Sequence, residues 1–258
     1  VLKWSTGFNV AFNRNKVLYL TDVPAVLPST GGFITAPGYA LGTIYGVVYK
    51  GADPETGKPS YERLDANGNK STTLNIKEAT LQILDSQQPD FSGGLSNSVS
   101  YKGITLSVLM NFVTGLKIDN QLRNSLFNLP FEGDGASKTR NNVALPDGQT
   151  RWKKKGDQAY APAASIIGYA DARGYTTTRF IEDASFLRVR NIRLDYTLPL
   201  KWTDKVRIQN ARFYISADNV FTLTKYTGFD PEVGGASSEG SIKYPVNRRI
   251  SLGLSVNL

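Results

Sequence analysis

The residues Arg249-Ile250-Ser251-Leu252-Gly253-Leu254-Ser255-Val256-Asn257-Leu258 close the chain with Ile250, Leu252, Leu254, Val256 and Leu258 at one parity. Arg249, Ser251, Gly253, Ser255 and Asn257 fall at the other. Successive side chains of a strand point to opposite faces, so the pattern reads as a β-strand with one apolar and one polar face, and no helix has it. The same period of two runs through Leu2, Trp4, Thr6, Phe8, Val10 and Phe12, through Ile104, Leu106, Val108, Met110 and Phe112, and through Ile192, Leu194, Tyr196 and Leu198. It also sets Ala211, Phe213, Ile215 and Ala217 opposite Arg212, Tyr214, Ser216 and Asp218.

The links between these segments are unequal. Asn13-Arg14-Asn15-Lys16, Tyr101-Lys102-Gly103 and Pro199 to Lys205 read as short turns, whereas residues 23–90 and 115–185 are long and rich in Gly, Pro, Asn and Asp. Short turns at one end and long loops at the other are the pattern of an outer-membrane barrel, while a soluble sandwich turns every 8–12 residues at both ends. Counting back from a C-terminus on the short-turn side predicts seven spans, at 248–258, 209–220, 187–198, 104–114, 91–101, 17–22 and 2–12. The strand-like stretches Tyr39 to Lys50 and Ser71 to Leu84 are placed in the long loop, as a hairpin standing above the membrane. The apolar parity slips near Arg190-Asn191, which predicts a bulge. Lys117 to Phe127, with apolar residues at 118, 122 and 126, is the one helix expected. The fold class is all-β, a partial antiparallel transmembrane barrel with long external loops. Leu252, Leu254, Val256 and Leu258 face lipid; Arg193, Asp195, Arg212 and Asp218 face the lumen.

Composition agrees by exclusion. The 258 residues include no cysteine and no histidine, with 13 Tyr, 12 Phe, 3 Trp and a formal charge of +8. A thiolate nucleophile, a Ser-His-Asp relay, a zinc centre of the usual kind and imidazole-ligated haem all lack their residues. The longest apolar stretch, Leu106 to Val113, is far short of the ~20 residues a membrane helix needs. Val1-Leu2-Lys3-Trp4 has neither an initiator Met nor a signal peptide and starts within a strand, so an internal start or processed piece is expected.

Several motifs reduce to turns or scattered charge. Gly51 to Pro59 approaches a phosphate loop, but five residues separate its glycines and Pro59 stands where a hydroxyl should hold magnesium. Asp65-Ala66-Asn67-Gly68-Asn69-Lys70 approaches a calcium loop, yet its Gly is fourth rather than sixth and Ile76 takes the place of the bidentate Glu. It reads instead as an Asn-Gly hairpin turn. Glu182, Asp183, Asp230 and Glu232 are candidate paired carboxylates whose separation no sequence fixes. The basic run Arg151-Trp152-Lys153-Lys154-Lys155 reads as a solvated loop or one near an anionic lipopolysaccharide surface rather than a nucleic-acid site. No catalytic group, metal or cofactor is expected.

Two resemblances follow. Ser251-x-Gly253-x-x-Val256-x-Leu258 resembles the C-terminal assembly signal by which the outer-membrane insertion machinery recognises barrels, with Leu258 where an aromatic residue is commoner. Residues Arg179 to Ile192, reading R-F-I-E-D-A-S-F-L-R-V-R-N-I, then Ala217 to Val233, containing D-N-V-F-T-L-T-K-Y-T-G-F-D-P-E, resemble closing blocks of SusC/RagA-type TonB-dependent outer-membrane transporters. Gly38 to Gly46, and Pro89 to Asn97 followed by Tyr101-Lys102-Gly103, are similar to upstream elements of that family. Asn69-Lys70 and Trp152 to Lys155 depart from it, in presumed external loops.

The resemblance implies a 22-stranded barrel with an N-terminal plug. Residues 1–258 would supply its C-terminal part, without plug or TonB-contacting segment. It implies an outer-membrane location, a SusD-like lipoprotein partner, energy from TonB, oligosaccharide or peptide cargo, and no nucleic acid. On this reading Trp152, Tyr160 and Tyr226 are candidate cargo contacts, since aromatic rings stack on sugar faces. The rival is a soluble β-rich carbohydrate-binding module using the same aromatics, and a carbohydrate-active enzyme is a third possibility.

Overall fold

A computed structural model describes residues 1–128, 145, 148–164, 172, 174–204, 207–233 and 244–257. In chain order the strands are β1 (Lys3–Ala11), β2 (Gly32–Ile34), β3 (Thr43–Val47), β4 (Tyr49–Ala52), β5 (Pro59–Leu64), β6 (Lys70–Thr73) and β7 (Leu81–Ser86). They continue with β8 (Phe91–Tyr101), β9 (Ile104–Thr114), β10 (Lys117–Asp119), β11 (Ile181–Asp183), β12 (Phe186–Thr197), β13 (Asn210–Thr224) and β14 (Arg249–Asn257). Among the described residues the short α-helices are α1 (Gln121–Asn128) and α2 (Leu200–Thr203).

The long strands form one six-stranded antiparallel sheet in the order β1-β8-β9-β12-β13-β14. Its register lines apolar side chains into rows that cross the whole sheet. Trp4 pairs with Val99, Val99 with Leu106, Leu106 with Leu194, Leu194 with Ile215, and Ile215 with Leu252. Every member of that row is exposed, from 38% for Val99 to 79% for Leu252. Burying one such side chain is worth about 1.5–3 kcal/mol, so a continuous exposed sheet of them is a surface built for lipid or for a partner rather than for water.

Among the described residues six spans replace the seven predicted. Residues 17–22 form no strand: Val17 bonds through its backbone to Gly38 and Tyr39, and β1 pairs directly with β8 from Lys3↔Ser100 to Ala11↔Ser92. The run Val17-Leu18-Tyr19-Leu20 is apolar at every position, so it lacks the alternation of a strand with two different faces. Asn13 to Lys16 is accordingly the opening of a long connection and not a short turn, and β1 runs opposite to the direction that seven spans require. The links of 12–90, 115–185 and 225–248 then leave the sheet at one end. The opposite end has the two-residue turn Lys102-Gly103, with φ of 47° and 84°, and the link carrying α2.

The predicted bulge is present, as a register shift between Val189 and Asn191 against both neighbours. The stretches assigned to the long loop do form strands there, but as two small sheets, β2-β3-β7 and β4-β5-β6, rather than one hairpin. The helix begins four residues later than expected. Asn120 accepts from Arg123 N through Oδ1 and caps it, while Lys117–Asp119 is taken by pairing with Ile181–Asp183. Asp65 to Lys70 joins β5 to β6 as the expected turn, with Asp65 Oδ1 accepting from Asn67 N and Asn69 N at 2.8 Å. The loops have their own cores: Val47, Tyr49, Tyr61, Ile76 and Ala172 in one cluster, Ile118, Ala184 and Tyr226 in another.

Candidate functional site: the polar sheet face and the loops above it

The face opposite the apolar rows carries hydroxyls on one side and charges on the other. Ser5, Ser98, Ser107, Arg193, Ser216 and Ser251 form one register row; Lys3, Ser100, Thr105, Asp195, Tyr214 and Gly253 form the next. Neighbouring hydroxyls bond directly, Ser100 to Thr105 at 2.8 Å and Ser98 to Ser107 at 3.3 Å. Towards β14 the groups are ionic. Arg193 grips Asp195 through two nitrogens at 2.8–3.1 Å and lies 4.0 Å over the Tyr214 ring, and Arg212 approaches the same carboxylate at 3.6 Å. Asp218 accepts from Asn191 at 2.7 Å and from Arg249 at 2.8 and 3.0 Å. Arg193, Asp195, Arg212 and Asp218 thus share the polar face as predicted.

At the loop end the segment Tyr226–Val233 is tied back to β12. The Arg188 side chain, 2% exposed, meets Asp230 at 2.5 Å and Glu232 at 2.9 Å, and Arg190 pairs with the same Glu232. Burial works against the Asp230 carboxylate, but Arg188 and the Glu232 N–H outweigh it and hold the group below the usual carboxylate range. Glu182 accepts from Arg123 at 2.6 Å and from the Thr227 backbone and hydroxyl at 2.8 Å, so it joins α1, β11 and this segment. The candidate carboxylates are therefore all held by cations or turns, with Asp183 against Lys117 at 3.9 Å. Asp119 differs. Its Oδ2 accepts from Thr176 and Gln121 while Oδ1 is buried without a partner, and burial pushes its carboxyl up to about 6.

The predicted site residues occupy separate places. Trp152 is half-buried, donating from Nε1 to Pro54 O at 3.0 Å, with its ring where a Cβ on Gly57 would lie 2.5 Å away. Tyr160 packs edge-on to Tyr49 at 5.4 Å between centroids and donates to Arg179 O at 3.2 Å. Tyr226 sits in the other cluster, 9% exposed, its hydroxyl pushed up to about 12 by burial and then by the Glu182 charge. Tyr160 and Tyr226 thus belong to different loop cores.

In the terminal strand, Ser251 and Gly253 lie on the polar face and Val256 pairs with Ala211 on the apolar one; Leu258 lies outside the described residues. Sequence reasoning missed the bracket of Arg188 and Arg190 on Asp230 and Glu232. Its signal was there, two cations and two acids each spaced by one residue, the arginines on a strand and the acids in the next long loop.

This geometry has counterparts among known proteins. The chain is 29% identical over 252 residues to TonB-dependent receptor P3 of Formosa agariphila, an alignment covering 89% of this chain and 23% of that protein. It is 28% identical to TonB-dependent receptor SusC of Bacteroides thetaiotaomicron, covering 98% of this chain and 24% of SusC. Among solved structures, the RagAB peptide transporter matches with a TM-score of 0.76 at 26% identity, over 99% of this chain and 27% of that one. The RagAB peptide importer in its open-open state matches at 0.72. No protein-family profile matches. The chain spans about a quarter of the length of the curated relatives it matches. Its homologues are TonB-dependent receptors, SusC among them, and the six-stranded sheet is a partial antiparallel β-barrel of that kind. These relatives are receptors and transporters rather than enzymes.

Proposed function

We propose that residues 1–258 are the C-terminal part of the barrel of an outer-membrane importer that takes up oligosaccharides or peptides. On this reading a SusD-like lipoprotein works at the loop end of the sheet, TonB supplies energy through parts of the polypeptide outside this chain, and the insertion machinery engages β14. The observation that carries it is the two-faced sheet: exposed apolar rows across all six strands, backed by a face of hydroxyls and ion pairs. A membrane barrel needs that division, with lipid outside and a polar lumen inside. A soluble binding module would have to cover the apolar rows with a second layer.

Trp152, Tyr160 and Tyr226 act in this scheme by holding the loops that meet cargo, with the half-buried Trp152 also offering cargo a ring. The test is uptake of defined oligosaccharides and peptides by cells expressing the full-length transporter, with and without TonB. TonB-dependent uptake is the expected result. A full-length protein recovered from the aqueous fraction without detergent would overturn the reading.

A further inference from the structure

The loops treat their buried guanidinium groups unequally. Arg188 is neutralised by Asp230 and Glu232, and Arg123 by Glu182. Arg179 is 7% exposed, and among the described residues no carboxylate meets it. Another cation, Arg123, lies over the same Phe127 ring. In place of an anion, Arg179 has aromatic rings: its guanidinium carbon lies 4.6 Å from the Phe127 centroid, 5.1 Å from Phe180 and 5.2 Å from Tyr49. Its Nε is buried without a hydrogen-bond partner, and so is Thr177 Oγ1, two residues earlier.

Rings meet the faces of a guanidinium and not its edge, where the five N–H donors lie in one plane. On that edge of Arg179 it is Nε that is buried without a partner, as Nε of Arg188 is too, but Arg188 has carboxylates and Arg179 has none among the described residues. A buried cation left in that state is strongly unfavourable, and a planar anion with two acceptor oxygens is the group that matches the fork. We propose that Arg179 anchors a binding site for a carboxylate carried by the cargo, the anion completing the fork in its plane while Tyr49, Phe127 and Phe180 hold its faces. The proposal rests on the importer reading and adds a chemical class to it. A peptide's carboxylate and a uronic acid present the same group, so the chemistry is shared between the two sources of cargo.

The experiment uses the purified full-length transporter in detergent and titration calorimetry. One pair of probes is a tetrapeptide with a free C-terminal carboxylate and its C-terminal amide; the other is trigalacturonate and a neutral trigalactoside. The expected result is at least a tenfold tighter binding of the acid in one pair, which also identifies the source. Arg179→Met should remove that preference and leave the neutral affinity unchanged. Arg179→Lys, which keeps the charge and loses the fork, should retain only part of it. Equal binding of acid and neutral probes by the unaltered protein would overturn the proposal, as would an acid preference that survives Arg179→Met. Should the Met variant not fold, a full preference in Arg179→Lys overturns it instead. TonB-dependent uptake, measured in parallel, bears on the importer reading alone, so the two can fail separately.

Discussion

A Cβ built on Gly253 lies 2.2 Å from Tyr214 Cζ, so any side chain there must push aside a ring that Arg193 covers from 4.0 Å. Gly253→Ala should therefore destabilise the fold by an amount on the order of 1–3 kcal/mol, typical of overpacking, and lower the yield of folded protein. Tyr214→Ser should restore most of it in the double variant; no restoration would mean that the glycine serves the backbone instead. The glycine of the proposed assembly signal thus has a local reason to be there that spacing alone did not reveal. Asp119 carries a different prediction. Its carboxyl is raised by burial from an ordinary value of 3.8 to about 6, so the folded loop binds the proton more tightly than the unfolded one. Stability is then greatest below about pH 4, falls as the pH rises towards 6, and is flat above. Two units correspond to roughly 3 kcal/mol at most. Asp119→Asn should flatten this profile and slow hydrogen exchange around Asn120 and Thr176 at pH 7.5; a variant that exchanges faster there would show that the charge itself is needed.

At the scale of elements, the alternation fixed which faces of the strands differ, and this was legible because each span has one wet and one dry side. Leu254 pairs with Phe213 on the apolar face and Ser255 with Arg212 on the polar one. Leu254→Arg should reduce membrane-inserted protein, since a cation on the lipid face costs about 2–4 kcal/mol near the midplane, whereas Ser255→Arg should insert normally. Equal yields would sink the assignment of faces. Residues 17–22 misled because length and apolarity imitate a strand, while the decisive quantity, pairing with β8, was already taken by β1. The strap Tyr226–Val233 was harder to read for a related reason: the one-residue spacing of Asp230 and Glu232 matches that of Arg188 and Arg190, but the two pairs are far apart in sequence and spacing alone does not bring them together. Arg188→Ala would leave Asp230 buried and unpaired, a change that typically costs 3–5 kcal/mol. Limited proteolysis within 226–233 should become much faster in that variant, and Arg188→Lys should protect only partly, because a single ammonium cannot span both acids.

For the whole molecule, the balance between its two faces decides how this chain behaves when expressed by itself. The sheet has β1 at one margin and β14 at the other, each with one neighbour among the described residues. Six strands do not close a cylinder, and an open margin presents a row of unpaired backbone donors and acceptors. Neither water nor lipid satisfies that combination: water fails the apolar rows headed by Trp4 and Leu252, and a bilayer fails the open edges. The isolated 258 residues should therefore neither stay monomeric in buffer nor insert as a closed, heat-modifiable barrel in detergent, and should aggregate with strong β-sheet signal. On the importer reading, a full-length protein with strands to meet both margins should show the mobility shift and protease resistance of a closed barrel. A monomeric, cooperatively melting fragment in plain buffer would contradict this, and would require that the apolar rows fold onto a second layer absent from the described sheet.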